Sequence, residues 1–288
     1  MPTLFAQASV EQLRQTARRL LQEGAVQVVI AYGQANGKGP VHPVFLTRAD
    51  GADQLVWNNQ CFHNLTSYLK RKEIRALGKA ALVVKGCDER ALVVLEKESQ
   101  IVRNEIYVIG MACEGVGDPP APKCSVCEVH MPRFADTVIG EAHNDPVPAE
   151  KRYADLIALM SKSQPERMAH WMEEMKRCLK CYACRQVCPV CYCERCLVDK
   201  NRPACVDTSP TLRGNFSYHI MRAFHLAARC IECEECTRAC PVGINLRLLN
   251  QSLSRAAEEH FGYRAGMDPE ADPPVGSYSL KDKEDFIK

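Results

Sequence analysis

The segments CLKCYACRQVCP (residues 178–189) and CIECEECTRACP (residues 230–241) carry the same pattern of cysteines. Each reads C-x2-C-x2-C-x3-C-P, so three thiols two residues apart are followed by a fourth just before a proline. A short loop with this spacing can wrap three thiolates around one compact group. The fourth thiol points away from the group held by the first three, because the proline after it does not continue a helix. Two complete copies in one chain indicate a shared chemical purpose.

This spacing is the ligand run of bacterial two-cluster ferredoxins, in which the fourth Cys of each run serves the cluster of the other run. We therefore expect two 4Fe-4S clusters with reciprocal ligand sets. The first set is Cys178, Cys181, Cys184 and Cys240; the second is Cys230, Cys233, Cys236 and Cys188. Structural zinc is the alternative interpretation of thiols at such spacing.

The composition narrows the class of protein. The 288 residues suffice for two domains of ordinary size, and a hydrophobic content of 46% can build real cores. Seventeen cysteines would suit a disulfide scaffold only in a short secreted chain, and the start, MPTLFAQASVEQ, shows no apolar signal core. We therefore expect a cytoplasmic protein with reduced thiols. A net charge of +2 and the lack of a long apolar run argue against a nucleic-acid partner and a direct membrane span.

The pattern of the first 148 residues predicts an α/β domain. A capping box at Ser9–Gln12 opens a first helix that extends to Gly24. The remaining elements alternate: strands are predicted at 25–32, 41–47, 54–57, 79–85 and 105–111, and helices from 61–64 onward and at 88–98. This alternation favours a mostly parallel sheet. The glycine-rich loop at 33–40 matches no phosphate-binding pattern and is interpreted as a hairpin loop. The pair Arg71-Lys72, which follows Lys70, is interpreted as a solvated helix end.

Four cysteines follow the predicted strands. Cys87 lies between a strand and the helix it feeds, where the helix N-terminus favours a thiolate. Cys113 follows the next strand, and parallel strands bring both thiols to one edge of the sheet. The pair Cys124 and Cys127 comes after a proline-rich loop. Four thiols from three loops are enough for one cluster, although a strand-end Cys can also be a buried hydrophobe and a lone C-x2-C half of a zinc site.

The stretch from Trp57 to Glu141 contains the segments NQCFHNLTSYL, VVKGCDERALVVL, IYVIGMACEGVGDP and KCSVCEVHMPRFADTVIGE. With them, the region from Ala25 to Glu150 resembles the beta subunit of deazaflavin-coenzyme-reducing hydrogenases and related formate dehydrogenases. In that family the domain works as an electron relay in a larger redox complex, beside flavin and iron-sulfur clusters. The resemblance therefore raises FAD or FMN as a further cofactor. It also implies a 4Fe-4S cluster on Cys87, Cys113, Cys124 and Cys127.

From residue 149 the pattern becomes helical. Apolar positions at helical spacing predict helices at 149–162, from Pro165 to the first cysteine run, at 215–229 and at 245–261. This region resembles the two-cluster inserts of fumarate and heterodisulfide reductases. We predict an α/β domain at 1–148, a helical two-cluster ferredoxin-like domain at 149–262 and an extended tail at 263–288. His219 and His225 could serve as ligands, but ordinary helix histidines are commoner.

Five cysteines remain outside these sets. Cys191, Cys193 and Cys196 lie between the two runs, Cys205 lies further on, and Cys61 belongs to the first domain. The spacing C-x-C-x2-C is compact enough to hold a further cluster or a zinc ion, with ordinary buried thiols as the alternative. The fourth ligand would be Cys61 or Cys205. We favour Cys61, because it would place a redox centre at the junction of the two domains.

The sequence predicts an iron-sulfur electron-transfer subunit of a cytoplasmic, anaerobic redox complex. It contains no nucleophile with a paired base and no nucleotide loop, so no catalytic residue is predicted. The expected partners are subunits that carry a flavin, hydrogenase, formate dehydrogenase or heterodisulfide reductase centre. Two other classes stay open: a flavin-containing oxidoreductase that itself reduces a deazaflavin or nicotinamide coenzyme, and a zinc-binding regulator or scaffold.

Overall fold

The first half of the chain is built on a five-stranded sheet. The computed structural model describes residues 7–34, 39–199, 203 and 206–276. The strands are β1 (Val28–Gly33), β2 (His42–Leu46), β3 (Ala80–Val84), β4 (Ile106–Met111) and β5 (Thr137–Ile139). Their order is β2-β1-β3-β4-β5, with β2 antiparallel to β1 and all other neighbours parallel. The predicted α/β fold with a mostly parallel sheet is confirmed.

Helices surround the sheet and form the second half. In the first half they are α1 (Gln7–Gln22), α2 (Lys72–Arg75) and α3 (Gly86–Lys97). In the second half they are α4 (Ala149–Arg152), α5 (Ala154–Met160), α6 (Gln164–Lys176), α7 (Ala183–Gln186), α8 (Leu212–His225), α9 (Glu235–Arg238) and α10 (Leu246–Phe261). Within the described ranges, no helix is long and apolar enough to cross a membrane.

The sheet forms the core of the first half. Every residue of β1 and β3 is buried, and both strands are rich in Val and Ala, as expected for parallel strands covered on both faces. Leu13, Ala17 and Leu20 of α1 join this core at helical spacing. The sheet therefore places the ends of β3 and β4 side by side on a rigid support.

The local structure differs from the predictions at the start of the chain and in the second strand pair. The first helix already includes Gln7, so the predicted cap at Ser9 lies inside it. The predicted strand at 54–57 is only an isolated bridge between Leu55 and Gly33, because a 3-10 helix occupies residues 49–54. The loop predicted at 33–40 lies partly outside the described residues.

Two further elements are shorter or more broken than their sequence pattern predicts, and one strand is not predicted at all. The helix expected after Cys61 is a 3-10 turn, Leu65–Tyr68. The helix predicted at 149–162 breaks at Tyr153 into α4 and α5. Strand β5 escapes the sequence pattern, because three residues are too few for a periodic signal.

The two halves of the chain are joined by partly buried polar side chains. Lys70 Nζ donates hydrogen bonds to the carbonyl oxygens of Cys188 at 2.9 Å and Cys191 at 2.7 Å. Arg229 forms an ion pair with Glu98, the residue that directly follows α3. The pair Arg71 and Lys72, predicted to form a solvated helix end, is exposed at the start of α2. Lys70 differs from this pair, because its ammonium group crosses to the second half and donates to two carbonyl oxygens there.

The first residues of the predicted tail lie against the first domain. Tyr263 and Ala265 are buried, and Arg90 donates to the carbonyl oxygen of Ala265 at 3.1 and 2.9 Å. Gly266 has a φ of +72°, and a Cβ there would stand 2.2 Å from the carbonyl oxygen of Arg90. Only glycine fits this close approach.

Candidate metal centres

The two cysteine runs adopt the same unusual backbone conformation. The residues on either side of the second Cys are left-handed in both runs: Lys180 and Tyr182 have φ values of 56° and 60°, and Glu232 and Glu234 have values of 60° and 62°. Such a conformation costs a residue other than glycine roughly 1–3 kcal/mol. The same strain at matched positions indicates that each loop follows a path required by its function.

The two predicted ferredoxin sets each line one cavity. The first ferredoxin cavity, of about 340 Å³, is lined by Cys178, Cys181, Cys184 and Cys240. The second ferredoxin cavity, also of about 340 Å³, is lined by Cys188, Cys230, Cys233 and Cys236. The fourth Cys of each run thus lies with the first three thiols of the other run. This grouping is the one that the spacing predicts, while the ligand roles themselves stay a prediction.

Helix α8 brings polar side chains to the first ferredoxin cavity. His219 Nε2 lies 3.3 Å from Cys178 Sγ, and the Tyr218 hydroxyl lies 3.7 Å from Cys184 Sγ. Burial lowers the pKa of His219 to about 3, so its ring is neutral at ordinary pH. His219 is therefore placed as a hydrogen-bond partner of a thiol. His225 is exposed and does not line this cavity.

Two cations, the buried Arg222 and the partly buried Lys123, approach the second ferredoxin cavity. Arg222 lines the cavity and donates to the carbonyl oxygen of Cys184 at 3.1 Å. Lys123, from the first half of the chain, donates through Nζ to the carbonyl oxygen of Cys233 at 3.0 Å. Burial opposes the charge of Lys123, but the nearby groups Cys87, Glu235 and Cys233 raise its pKa to about 12. Its positive charge can offset an anionic group held by the thiols.

The four strand-end thiols line a third cavity of about 730 Å³, the strand-end cavity. They are Cys87, Cys113, Cys124 and Cys127. Because β3 and β4 are parallel neighbours, Cys87 at the start of α3 and Cys113 after β4 reach the same edge of the sheet. A 3-10 turn, Cys124–Val126, carries the C-x2-C pair to the same edge.

A buried ion pair fixes the helix that bears Cys87. Lys85 Nζ lies 2.9 Å from the Asp88 carboxylate, and both side chains are at most 2% exposed. Lys85 also donates to the Tyr32 hydroxyl and, at 2.9 Å, to the carbonyl oxygen of His63. Burial alone would lower the pKa of Lys85, but the negative charge of Asp88 raises it overall. The ammonium group therefore stays charged and holds the N-terminus of α3 in place.

Burial disfavours the thiolate form of Cys87 and Cys113 when no metal is bound. It raises the pKa of Cys87 to about 12 and that of Cys113 to about 11. Without a bound group, desolvation is the largest influence on the Cys87 thiol; that the helix N-terminus favours a thiolate carrying an anionic cluster stays a prediction. A metal ligand must lose its proton, so metal binding at this cavity would release protons.

Three arginines with unpaired Nε atoms line the strand-end cavity, and two of them, Arg152 and Arg264, form ion pairs with Glu128. The buried Nε atoms of Arg152, Arg247 and Arg264 have no hydrogen-bond partner. An unsatisfied buried donor costs roughly 1–3 kcal/mol, more when it is charged. An anionic occupant would offset this cost. Arg247 also lines the second ferredoxin cavity, as do Ile231 and Glu232, so these three residues form the wall between the two cavities.

A fourth cavity, of about 960 Å³, is lined by Cys191, Cys193 and Cys196. Cys61 is not among its lining residues. It is fully buried in the sheet core, where its Sγ accepts a hydrogen bond from the backbone nitrogen of Asn58 at 3.4 Å. Cys205 lies outside the described residues. The structure thus brings three of the predicted thiols together and leaves Cys61 apart.

The donor chemistry of the cavities suits iron-sulfur clusters. In the part of the chain that the structure describes, no three His, Cys, Asp or Glu side chains converge closely enough to hold one metal ion. A zinc site needs its sulfurs about 2.3 Å from a single ion, whereas a cubane is a larger body that takes four thiolates around its outside. Four thiols around a cavity fit a cluster in number and type, and the identity of the occupant stays a prediction.

The cations around these cavities were not singled out in the sequence. Lys85 stands two residues before Cys87, and Lys123 directly precedes Cys124. A lysine so close to a predicted ligand is a signal of charge compensation that could have been used. Arg247 carries no such signal, because only the fold brings it to the strand-end cavity.

Comparison with known proteins agrees with the resemblance drawn from the sequence. No protein-family model matches the chain. The chain is 22% identical to the beta subunit of the F420-dependent formate dehydrogenase of Methanocaldococcus jannaschii, over 88% of this chain and 91% of the relative. It is 24% identical to the beta subunit of F420-dependent formate dehydrogenase 1 of Methanococcus maripaludis, over 89% and 90%. The predicted similarity to this beta-subunit family is confirmed, and it extends well beyond residues 25–150.

Proposed function

We propose that the chain is an electron-transfer subunit of an oxidoreductase complex, in which its cysteines hold 4Fe-4S clusters. The observation that carries this proposal is the grouping of twelve cysteines into three cavities with four thiols each. A 4Fe-4S cluster, when bound, accepts and releases one electron at a time. The names of the relatives, beta subunits of F420-dependent formate dehydrogenases, support a role as one subunit among several.

The shared walls of the cavities support a relay. The strand-end cavity meets the second ferredoxin cavity at Ile231, Glu232 and Arg247. The second ferredoxin cavity in turn shares Arg222 and two apolar residues with the fourth cavity. Groups held in these cavities would therefore be neighbours, with only one layer of side chains between them. This arrangement suits passage of charge between groups held in the strand-end, second ferredoxin and fourth cavities.

The proposed partner carries the substrate chemistry. A formate dehydrogenase subunit is the first candidate because the relatives bear that name, and a hydrogenase, heterodisulfide reductase or flavoprotein subunit is the alternative within the same class. A cytoplasmic location is part of this proposal. Co-purification of the tagged chain from its own cells under anaerobic conditions, followed by identification of the bound subunits, tests the choice of partner.

Metal and cofactor analysis of the anaerobically purified chain tests the proposal itself. Three clusters would give about twelve irons and twelve sulfides per chain, and a fourth would give about sixteen. Stoichiometric flavin would instead favour the flavin-containing oxidoreductase. Zinc in place of iron, with no acid-labile sulfide, would refute the electron-transfer role and favour a regulator or scaffold.

Single substitutions test the ligand sets. Cys178→Ala, Cys230→Ala and Cys87→Ala each remove one thiol from a different cavity, so each is expected to lower the iron content by about four per chain. Spectra of the reduced variants should each lose a different component of the wild-type signal. The assignment of a set fails if its variant keeps the full complement of iron and sulfide.

A further inference from the structure

His219 is held against one thiol of the first ferredoxin cavity. Its Nε2 atom lies 3.3 Å from Cys178 Sγ, and its Nδ1 atom is buried without a hydrogen-bond partner. A proton on Nδ1 would leave a buried donor unpaired and would turn the Nε2 lone pair toward the sulfur. A proton on Nε2 leaves only an unpaired acceptor and creates an N–H···S hydrogen bond. The second tautomer is therefore the favoured one.

The surroundings of His219 fix the ring in this position. The neighbouring Tyr218 ring stands edge-on to it at 4.9 Å, and the Tyr218 hydroxyl lies 3.7 Å from Cys184 Sγ. One turn earlier in α8, Asn215 donates to the carbonyl oxygen of Cys178 at 2.8 Å. The side chain of Asn215 thus ties helix α8 to the backbone of the cysteine loop, and His219 and Tyr218 direct hydrogen-bond donors at the sulfurs of that loop.

We propose that His219, assisted by Tyr218, sets the reduction potential of the cluster in the first ferredoxin cavity. This inference rests on the proposed function. A reduced cluster carries one more negative charge than an oxidised cluster, and hydrogen bonds to its sulfurs stabilise that charge and raise the potential. His219 acts here as a positioning residue through Cys178, and it is not a metal ligand.

Of the two ferredoxin cavities, only the first has, among its described lining residues, a histidine against one of its predicted ligands. In the second ferredoxin cavity, the corresponding side-chain donor is Asn250, whose Nδ2 lies 3.8 Å from Cys236 Sγ. Of the two cavities, only the first has an exposed cysteine among its predicted ligands, Cys181, and the neighbouring Leu179 is 63% exposed. His219 therefore tunes the ferredoxin centre that lies nearer the surface, where a partner can exchange electrons with it.

The test is a redox titration of the anaerobically purified full chain, followed by electron paramagnetic resonance. His219→Leu removes the donor and should lower the midpoint of one component only. We expect the ratio of reduced to oxidised cluster at a fixed solution potential to fall about tenfold. This fall corresponds to a midpoint potential lower by about 59 mV for one electron. His219→Gln keeps an N–H donor and should restore most of the shift. Tyr218→Phe should give a smaller shift of the same component, because its contact is longer.

Two controls separate this inference from the proposed function. His225→Leu changes an exposed histidine on the same helix that lines the fourth cavity and not the first ferredoxin cavity, so it should leave the midpoint of the component shifted by His219→Leu unchanged. A wild-type chain without iron would refute the proposed function and this inference together. Full iron with unchanged midpoints in His219→Leu would refute this inference alone. If His219→Leu loses iron, the midpoints of Tyr218→Phe and His219→Gln test the inference instead. Wild-type midpoints in Tyr218→Phe would refute the role of α8, and a shift of one component in that variant would support this role.

Discussion

Replacement of Gly86 by alanine should disrupt the strand-end cavity, although helix propensity favours the change. Gly86 is the first residue of α3, where Ala is intrinsically better than Gly by roughly 1 kcal/mol. An added Cβ, however, would lie 1.8 Å from the carbonyl oxygen of Val129 and 2.7 Å from its Cβ. Ordinary contacts begin near 3.4 Å, so the helix start and the loop at residue 129 must separate by about 1.6 Å.

The free-energy cost of this separation should exceed the gain in helix propensity. Both partners are main chain and neither can rotate away, and overpacking of a rigid interior typically costs about 1–3 kcal/mol or more. Moving the start of α3 also moves Cys87, the next residue, away from the thiols on the neighbouring loops. We therefore expect net destabilisation and loss of the group held in the strand-end cavity, with both ferredoxin centres retained.

Iron and sulfide analysis of Gly86→Ala, purified anaerobically, measures this outcome. The expected loss is about four irons per chain, together with a lower thermal midpoint. Gly51→Ala is the matched control, because a Cβ there meets only the movable side chains of Leu46 and Gln54, at 3.1 and 3.3 Å. Full iron and an unchanged midpoint in Gly86→Ala would refute the reasoning.

Three further predictions follow from contacts described above. Lys70→Met removes two hydrogen bonds between the halves and should lower the free energy of unfolding by about 2–4 kcal/mol. Lys72→Met is the control: its side chain is 80% exposed, so the free energy of unfolding should change by less than about 0.5 kcal/mol. Equal urea midpoints for the two variants would contradict this prediction. Cys61→Ala should keep the full iron and zinc content, because Cys61 lies in the sheet core, and the loss of a centre would restore it as a ligand. The pKa values of Cys87 and Cys113 are raised to about 12 and about 11, so these thiols are protonated at neutral pH. Binding of a metal group at the strand-end cavity should therefore become more favourable as the pH rises. If the metal-free chain releases no protons during reconstitution in weak buffer, this prediction is disproved.

The sequence was most informative where spacing alone carries the chemistry. The repeated C-x2-C-x2-C-x3-C-P pattern predicts the reciprocal grouping around Cys188 and Cys240, and the structure has the same grouping. The parallel order of β3 and β4 could also be predicted, because buried strands that alternate with helices allow few arrangements. Cys87 and Cys113 therefore share a sheet edge, as expected.

The sequence was least informative where partners come from distant parts of the chain. Arg247 and Lys123 meet the walls of the same cavity although 124 positions separate them, and no local pattern specifies that meeting. Lys70 looks like an ordinary surface cation until the second half supplies its two carbonyl acceptors. Cys61 illustrates the opposite error, since a thiol count favours a ligand while burial in the sheet core makes it a small apolar residue.

The reciprocal grouping of the two cysteine runs has a consequence for biosynthesis. On the proposed ligand sets, the first ferredoxin cavity gains its last thiol only at Cys240, and the second only at Cys236. Even the strand-end cavity, whose thiols are all made by residue 127, obtains part of its wall from Arg247 and Arg264. A ribosome must therefore have translated most of the chain before any of these cavities is closed. Iron delivery to this protein would be a late event, directed at a nearly finished polypeptide.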